Sequence, residues 1–166
     1  LIRHDLNYSC FPHVINIAVK TALSRLGKVE LDEGDDDYAD ALAKDLVGCA
    51  RKLVNACRAS GKHRDALRDA IINIQKVQSD NNETRQMRAI VLLRDVDTRW
   101  SSTFLMIDCL LELYPAVKTF ASHNGNADLQ ALLLSQFDLG VLADIRQFLK
   151  AFHLVQELAS AQKTLS

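Results

Sequence analysis

Two acids and two arginines precede the only tryptophan of the chain, in the stretch Leu92-Leu-Arg-Asp-Val-Asp-Thr-Arg-Trp-Ser-Ser-Thr-Phe104. Asp95 and Asp97 are two residues apart, so both carboxylates point the same way if the residue between them is extended. Such a pair could share a magnesium ion in a nuclease-like site, which would need further acids from elsewhere. Because most other acids crowd one loop, a salt bridge to Arg94 or Arg99, or a turn before a helix, explains the pair more simply.

Trp100 follows Arg99 and a candidate helix cap, Thr98, which places the indole in the first turn of a helix. An exposed indole there could stack on a nucleobase while Arg99 and the helix N-terminus face phosphate, an arrangement suited to nucleic acid distorted out of its duplex. The alternative is a tryptophan that anchors the helix start in the core. The two interpretations predict opposite exposures of the indole.

Cys10 and His13 have a spacing that fits two ligands of a zinc ion. A structural zinc needs four ligands, and no second pair of ligand type with suitable spacing follows. A buried thiol and a hydrogen-bonded imidazole that fix the start of a helix are the alternative. The sequence therefore predicts no metal site at Cys10 and His13.

Charge is distributed unevenly, although the net charge is only −1. Seven acids and no base lie between positions 30 and 43, whereas eight bases and three acids lie from Lys44 to Lys76. Such a basic segment could bind nucleic acid, or it could simply be a solvated helical face. The candidate contacts to DNA are Arg51, Lys52, Arg58, Arg64, Arg68, Arg94, Arg99 and Trp100.

Composition favours one helical, intracellular domain. The 166 residues are 48% hydrophobic and 25% charged, and they include only two prolines and six glycines. No apolar run is long enough to span a bilayer, and the first residues do not form a signal peptide. Four cysteines without a C-x-x-C pair are typical of reduced thiols.

Apolar spacing predicts a mainly α fold. The predicted helices cover about 12–26, 38–59, 63–78, 98–113, 116–123, 127–137 and 139–161. Pro115 is expected to end one helix and to open the next. The segment 87–94 is compatible with one short strand or with a buried helical turn.

Three stretches together resemble transposases of the hAT superfamily, with fungal genomic copies the most similar. They are Cys10-Phe-Pro-His13, Arg94-Asp-Val-Asp-Thr-Arg-Trp-Ser-Ser-Thr103 and Leu149-Lys-Ala-Phe-His-Leu-Val-Gln-Glu-Leu-Ala-Ser-Ala-Gln-Lys-Thr-Leu165. In that superfamily the C-x-x-H motif opens a helix of an RNase H-like domain, and a helical insertion carrying T-R-W-N-S-T follows. Ser101 stands where asparagine is usual. The resemblance implies residues 1–28 as the C-x-x-H helix of an incomplete RNase H-like part, 29–43 as an acidic loop, and 44–166 as the helical insertion-like region.

The resemblance also implies a role for Trp100, because the tryptophan of this motif is held to stack on a base flipped out at the transposon end. The superfamily cuts DNA with D-D-E carboxylates that hold two divalent metal ions, Mg or Mn, and none of these carboxylates falls in this chain. We therefore expect a DNA-contacting fragment that is inactive alone and has no cofactor of its own. The implied partners are transposon-end DNA and other transposase subunits, in the nucleus. A helical protein-interaction module and a remnant without function are the alternatives.

Overall fold

The fold is mainly α-helical, as the sequence predicts. The computed structural model describes residues 17–19, 21–23, 25, 44–80, 91–96, 100–123 and 126–163, and no strand occurs among them. Its helices are α1 (Leu46–Cys57), α2 (Gly61–Asp80), α3 (Trp100–Ala121), α4 (Ala127–Gln130) and α5 (Gln136–Lys163). The described residues at 17–25 are helical too, in agreement with the first predicted helix. None of the described helices combines the length and the apolar composition that a bilayer crossing requires.

Helix α1 begins later than the predicted position 38 because Asp45 caps it. The Asp45 carboxylate accepts a hydrogen bond from the amide of Gly48 at 2.9 Å, and α1 starts at Leu46. A Cβ at Gly48 would collide with the Asp45 carboxylate, so a larger residue there would require this carboxylate to shift. One face of α1 is buried, including Leu53 and Cys57. Burial raises the pKa of the Cys57 thiol to about 11, which keeps it protonated and unreactive.

Helix α3 is the centre of the domain. It packs against α1, α2, α4 and α5, and buried side chains occur along its whole length. Met106, Ile107, Leu110 and Leu113 have no exposed surface. A helix that is apolar on several faces is expected where neighbours surround it.

Pro115 does not divide α3, contrary to the sequence-based prediction. The helix continues through it to Ala121, and the proline ring lies on the exposed side. An interior proline costs about 3 kcal/mol. Burial of Ala116, Val117 and Phe120 just beyond it offsets this cost, because these side chains reach the core only if the helix continues.

The predicted helix 127–137 is also wrong, since α4 ends at Gln130 and a turn follows. The Tyr114 hydroxyl accepts from the Leu134 amide at 2.8 Å and donates to the Leu134 carbonyl at 2.7 Å, which holds this turn against α3. Ser135 and Asp138 then exchange hydrogen bonds between side chain and amide, a capping box that starts α5. The spacing Ser135-Gln-Phe-Asp138 is the sequence signal that would have located this start.

Candidate nucleic-acid interface

A buried carboxylate joins the segment 91–96 to α1 and α3. The Asp95 side chain has no exposed surface. It accepts two hydrogen bonds from the Arg51 guanidinium, at 2.8 Å from Nε and 2.5 Å from Nη2. The Ser102 and Thr103 hydroxyls donate to it from the first turn of α3, at 2.6 and 3.0 Å. We call this cluster of Arg51, Asp95, Ser102 and Thr103 the Asp95 junction.

The electrostatics of the Asp95 junction favour the ionised carboxylate. Burial by itself would raise the pKa of Asp95, but the hydrogen bonds from Ser102, Arg51 and Thr103 and the charge of Arg51 outweigh it. The net result is a pKa below the usual value for aspartate. The Ser102 hydroxyl also accepts a hydrogen bond from the Val96 amide at 2.8 Å, so the chain approaching α3 is held by backbone as well as side chain.

The Asp95 junction bears on both interpretations of the carboxylate pair, the salt bridge and the metal site. The described partner of Asp95 is Arg51 from α1, not the neighbouring Arg94, because Asp95 faces inward and Arg94 is exposed. Arg99 lies outside the described residues. Both oxygens of Asp95 are already engaged by side-chain donors, which leaves a metal ion no ready ligand there. Asp97 lies outside the described residues. No group of three or more metal-ligating side chains occurs in the part of the chain that the structure describes.

Trp100 begins α3, as predicted, but the exposed indole expected from the DNA interpretation is wrong. Only 3% of Trp100 is exposed. Its ring meets the edges of Phe152 and His153 on α5, with centroid separations of 6.4 and 6.3 Å and near-perpendicular planes. Phe104, one turn later, lies 4.8 Å from the same imidazole. In this conformation the tryptophan anchors the start of α3 to α5.

Three of the predicted DNA contacts line one groove. Arg58 follows the end of α1, while Arg64 and Arg68 are four residues apart and share a face of α2. Val91 and Leu92 form part of the opposite wall, and the space enclosed is about 310 Å³. We call this feature the arginine groove.

Arg58 is the fixed member of the arginine groove. Its Nη1 donates a hydrogen bond to the Leu92 carbonyl, and its buried Nε has no hydrogen-bond partner. Arg64 and Arg68 are exposed, and neither forms an ion pair with another described residue. The positive charge predicted for 44–76 is therefore partly concentrated, not spread evenly around the helices.

The remaining candidates occupy different places. Arg51 belongs to the Asp95 junction, and Lys52 and Arg94 are exposed away from the groove lining. Arg99 and the structural motif residues Cys10, His13 and Thr98 lie outside the described residues.

The sequence interpretation missed an apolar groove between α2 and α3. It encloses about 850 Å³ and is lined by Ala66, Ile74, Val77 and Phe120 among others, with His63 and His123 also in its wall. Val77 is 61% exposed. The apolar spacing of α2 predicts which of its faces is buried. It does not predict the groove, because the groove depends on how α2 and α3 pack together.

With the geometry established, comparison with known proteins gives the family. A family model described as the ZBED1 RNase-like helical domain matches residues 8–148. The chain belongs to this family. It is thus related to the helical region of hAT-type transposase-like proteins, as the three motifs indicate. No curated protein and no solved structure matches the chain.

Proposed function

We propose that this chain is the helical part of a hAT-type transposase-like protein and that it contacts DNA through phosphate groups. The observation that carries the proposal is the arginine groove, where two exposed guanidiniums without a described ion-pair partner stand beside a third. Lys52 and Arg94 add exposed positive charge elsewhere on the described surface. Lysine and arginine contacts to phosphate supply most of the affinity of sequence-independent binding.

The proposal assigns Trp100 a structural role in the resting protein. Its ring is covered by Phe152 and His153, so stacking on a base would first require α3 and α5 to separate. DNA contact is consequently electrostatic, and the domain binds DNA without cutting it by itself. The motif resemblance supports DNA binding without cleavage, since it places the D-D-E carboxylates and their Mg or Mn ions in other motifs. A nuclear location and association with other transposase subunits belong to the same proposal.

Fluorescence anisotropy of a fluorescein-labelled hairpin oligonucleotide tests DNA contact. We expect binding at low salt and a log–log salt slope of about −2 to −3, which corresponds to two or three phosphate contacts. The emission of the sole tryptophan should stay unchanged, because the ring remains buried. Failure to bind the hairpin at any salt concentration would refute DNA contact. Quenching of Trp100 would instead restore base stacking through an opened α3–α5 contact.

A protein-interaction module is the second candidate, and the surface of α5 favours it. Phe148 and Val155 are seven residues apart, share a face and are 41% and 47% exposed, and Leu158 is 70% exposed. Exposed apolar clusters of this kind are typical of interaction sites. This function would be favoured over DNA contact if the chain does not bind oligonucleotides and sediments as an oligomer. The double variant Val155→Gln, Leu158→Gln should then sediment as a monomer.

A further inference from the structure

We propose that the arginine groove is a phosphate-binding pocket, a discrete site within the basic surface. The inference deepens the proposed function, on which the nucleic-acid origin of the phosphate depends. The pocket itself rests on Arg58, Arg64 and Arg68 and on the walls that hold them.

The groove concentrates positive charge in a small space. Three arginines line about 310 Å³, and Asp65 is the one acid among the lining residues. Like charges held together repel each other, and an anion between them removes this repulsion. Guanidinium groups also match the oxygens of phosphate with paired hydrogen bonds, which favours phosphate over a simple halide ion.

The state of Arg58 indicates how the pocket is organised. The Leu92 carbonyl holds its Nη1, so the guanidinium is positioned before any ligand arrives. Its Nε–H is shielded from solvent and lacks a hydrogen-bond partner, an unfavourable arrangement for a charged donor. Arg64 and Arg68, by contrast, are exposed and free to close on a ligand.

Two other described arginines, by contrast, are paired with carboxylates. Arg51 is paired with Asp95, and Arg146 lies 3.5 Å from Asp108. In both cases a carboxylate from another segment neutralises the guanidinium. In the groove, the walls contributed by Leu67, Val91 and Leu92 are apolar, which strengthens electrostatic attraction to a bound anion. The first residue of α2, Gly61, also borders the groove, so the positive end of this helix dipole adds to the field.

Titration of the ¹⁵N-labelled chain with inorganic phosphate tests the pocket directly. At constant ionic strength, we expect the arginine Nε–Hε signals to shift with phosphate and to respond much less to chloride. The double variant Arg64→Gln, Arg68→Gln should lose this response. The control Lys76→Gln, Lys118→Gln removes the same charge from exposed positions outside the groove and should retain it. Equal responses to phosphate and chloride, or equal losses in the two double variants, would overturn the pocket.

Oligonucleotide binding then identifies the source of the phosphate. We expect Arg64→Gln, Arg68→Gln to weaken binding of a 3′-labelled single strand about tenfold or more, and the lysine control by about threefold or less. A preference for a 5′-phosphate over a 5′-hydroxyl end would assign the pocket to a terminal monoester; equal affinity with the same variant ranking would assign it to a backbone diester. If inorganic phosphate binds but no oligonucleotide does, the pocket stands and the DNA function fails. If DNA binds and both double variants weaken it equally, the DNA function stands and the pocket fails.

Discussion

The Asp95 junction and the arginine groove lie at opposite ends of the same short segment, and they use arginine in opposite ways. At one end Arg51 is neutralised by a carboxylate without exposed surface, which also receives two hydroxyl donors. At the other end Arg64 and Arg68 have no described ion-pair partner. The Nε of Arg58 is buried and has no hydrogen-bond partner. The first region satisfies its polar groups internally, whereas in the second Arg64 and Arg68 face solvent and the buried Arg58 Nε has no hydrogen-bond partner.

The most recognisable motif of the sequence and the exposed arginines of the groove are different sets of residues. The stretch from Arg94 to Thr103 is the most recognisable part of the sequence, yet its described polar side chains at 95, 102 and 103 bind one another. Arg64 and Arg68 of the groove belong to an ordinary helical pattern, and they remain exposed. A residue set that identifies a family can therefore maintain the framework, while the arginines that we propose to contact phosphate lie in a less distinctive part of the sequence.

The largest expected effect on stability comes from Trp100, whose ring is buried. Trp100→Ala should lower the free energy of unfolding by about 3–5 kcal/mol, because it removes a large buried ring and leaves a cavity beside Phe152. Urea denaturation followed by circular dichroism measures the loss. Leu158→Ala, at an exposed position on α5, should change stability by no more than about 0.5 kcal/mol. A Trp100→Ala protein of normal stability that no longer binds DNA would show that the ring serves the ligand after all.

The Trp100 position also shows how far sequence reasoning reaches. Residue periodicity gave the helical class and most of α2, and the motif placed Trp100 at a helix start. The exposure of the ring could not be predicted, since it depends on Phe152 and His153, which lie more than fifty positions later in the chain. The continuation of α3 through Pro115 depends in the same way on tertiary burial, which local propensity does not contain.

The candidate site also has some features that the sequence predicts and others that it does not. The spacing of Arg64 and Arg68 predicts a shared face, and the excess of bases predicts a positive surface. The pairing of Arg51 with Asp95 joins residues 44 positions apart, so no local pattern distinguishes Arg51 from the arginines that stay available. The wall formed by Val91 and Leu92 is equally non-local.

A smaller effect is expected at Asp95, with a defined pH dependence. Asp95→Asn should cost about 2 kcal/mol at pH 7, below the about 3–5 kcal/mol typical of breaking a buried pair, because 35% of the Arg51 side chain remains exposed to water. The folded-state pKa of Asp95 lies below its unfolded value, so the stabilisation is complete above the unfolded pKa of about 4 and is lost as the pH falls through the folded value. The stability difference between the native protein and Asp95→Asn should therefore shrink as the pH falls below about 4.

Thermal unfolding of both proteins between pH 7 and pH 2.5 measures this convergence. Asp128→Asn, at an exposed position in the first turn of α4, is the matched control and should follow the native protein throughout. A constant difference between the native protein and Asp95→Asn at every pH would mean that packing, not the carboxylate charge, holds the Asp95 junction together.

The smallest expected effect on the free energy of unfolding lies in the arginine groove. Arg64→Gln, Arg68→Gln should leave the free energy of unfolding within about 0.5 kcal/mol of the native value, because both side chains are exposed and without a described ion-pair partner. Removing two mutually repelling charges could even stabilise the domain slightly in the absence of phosphate. Chemical denaturation with and without inorganic phosphate measures both effects: phosphate should stabilise the native protein and not the variant, since a ligand that binds only the folded state raises its stability. A marked loss of stability without phosphate would place these arginines in the framework, alongside Arg51, and would remove the distinction between the two regions.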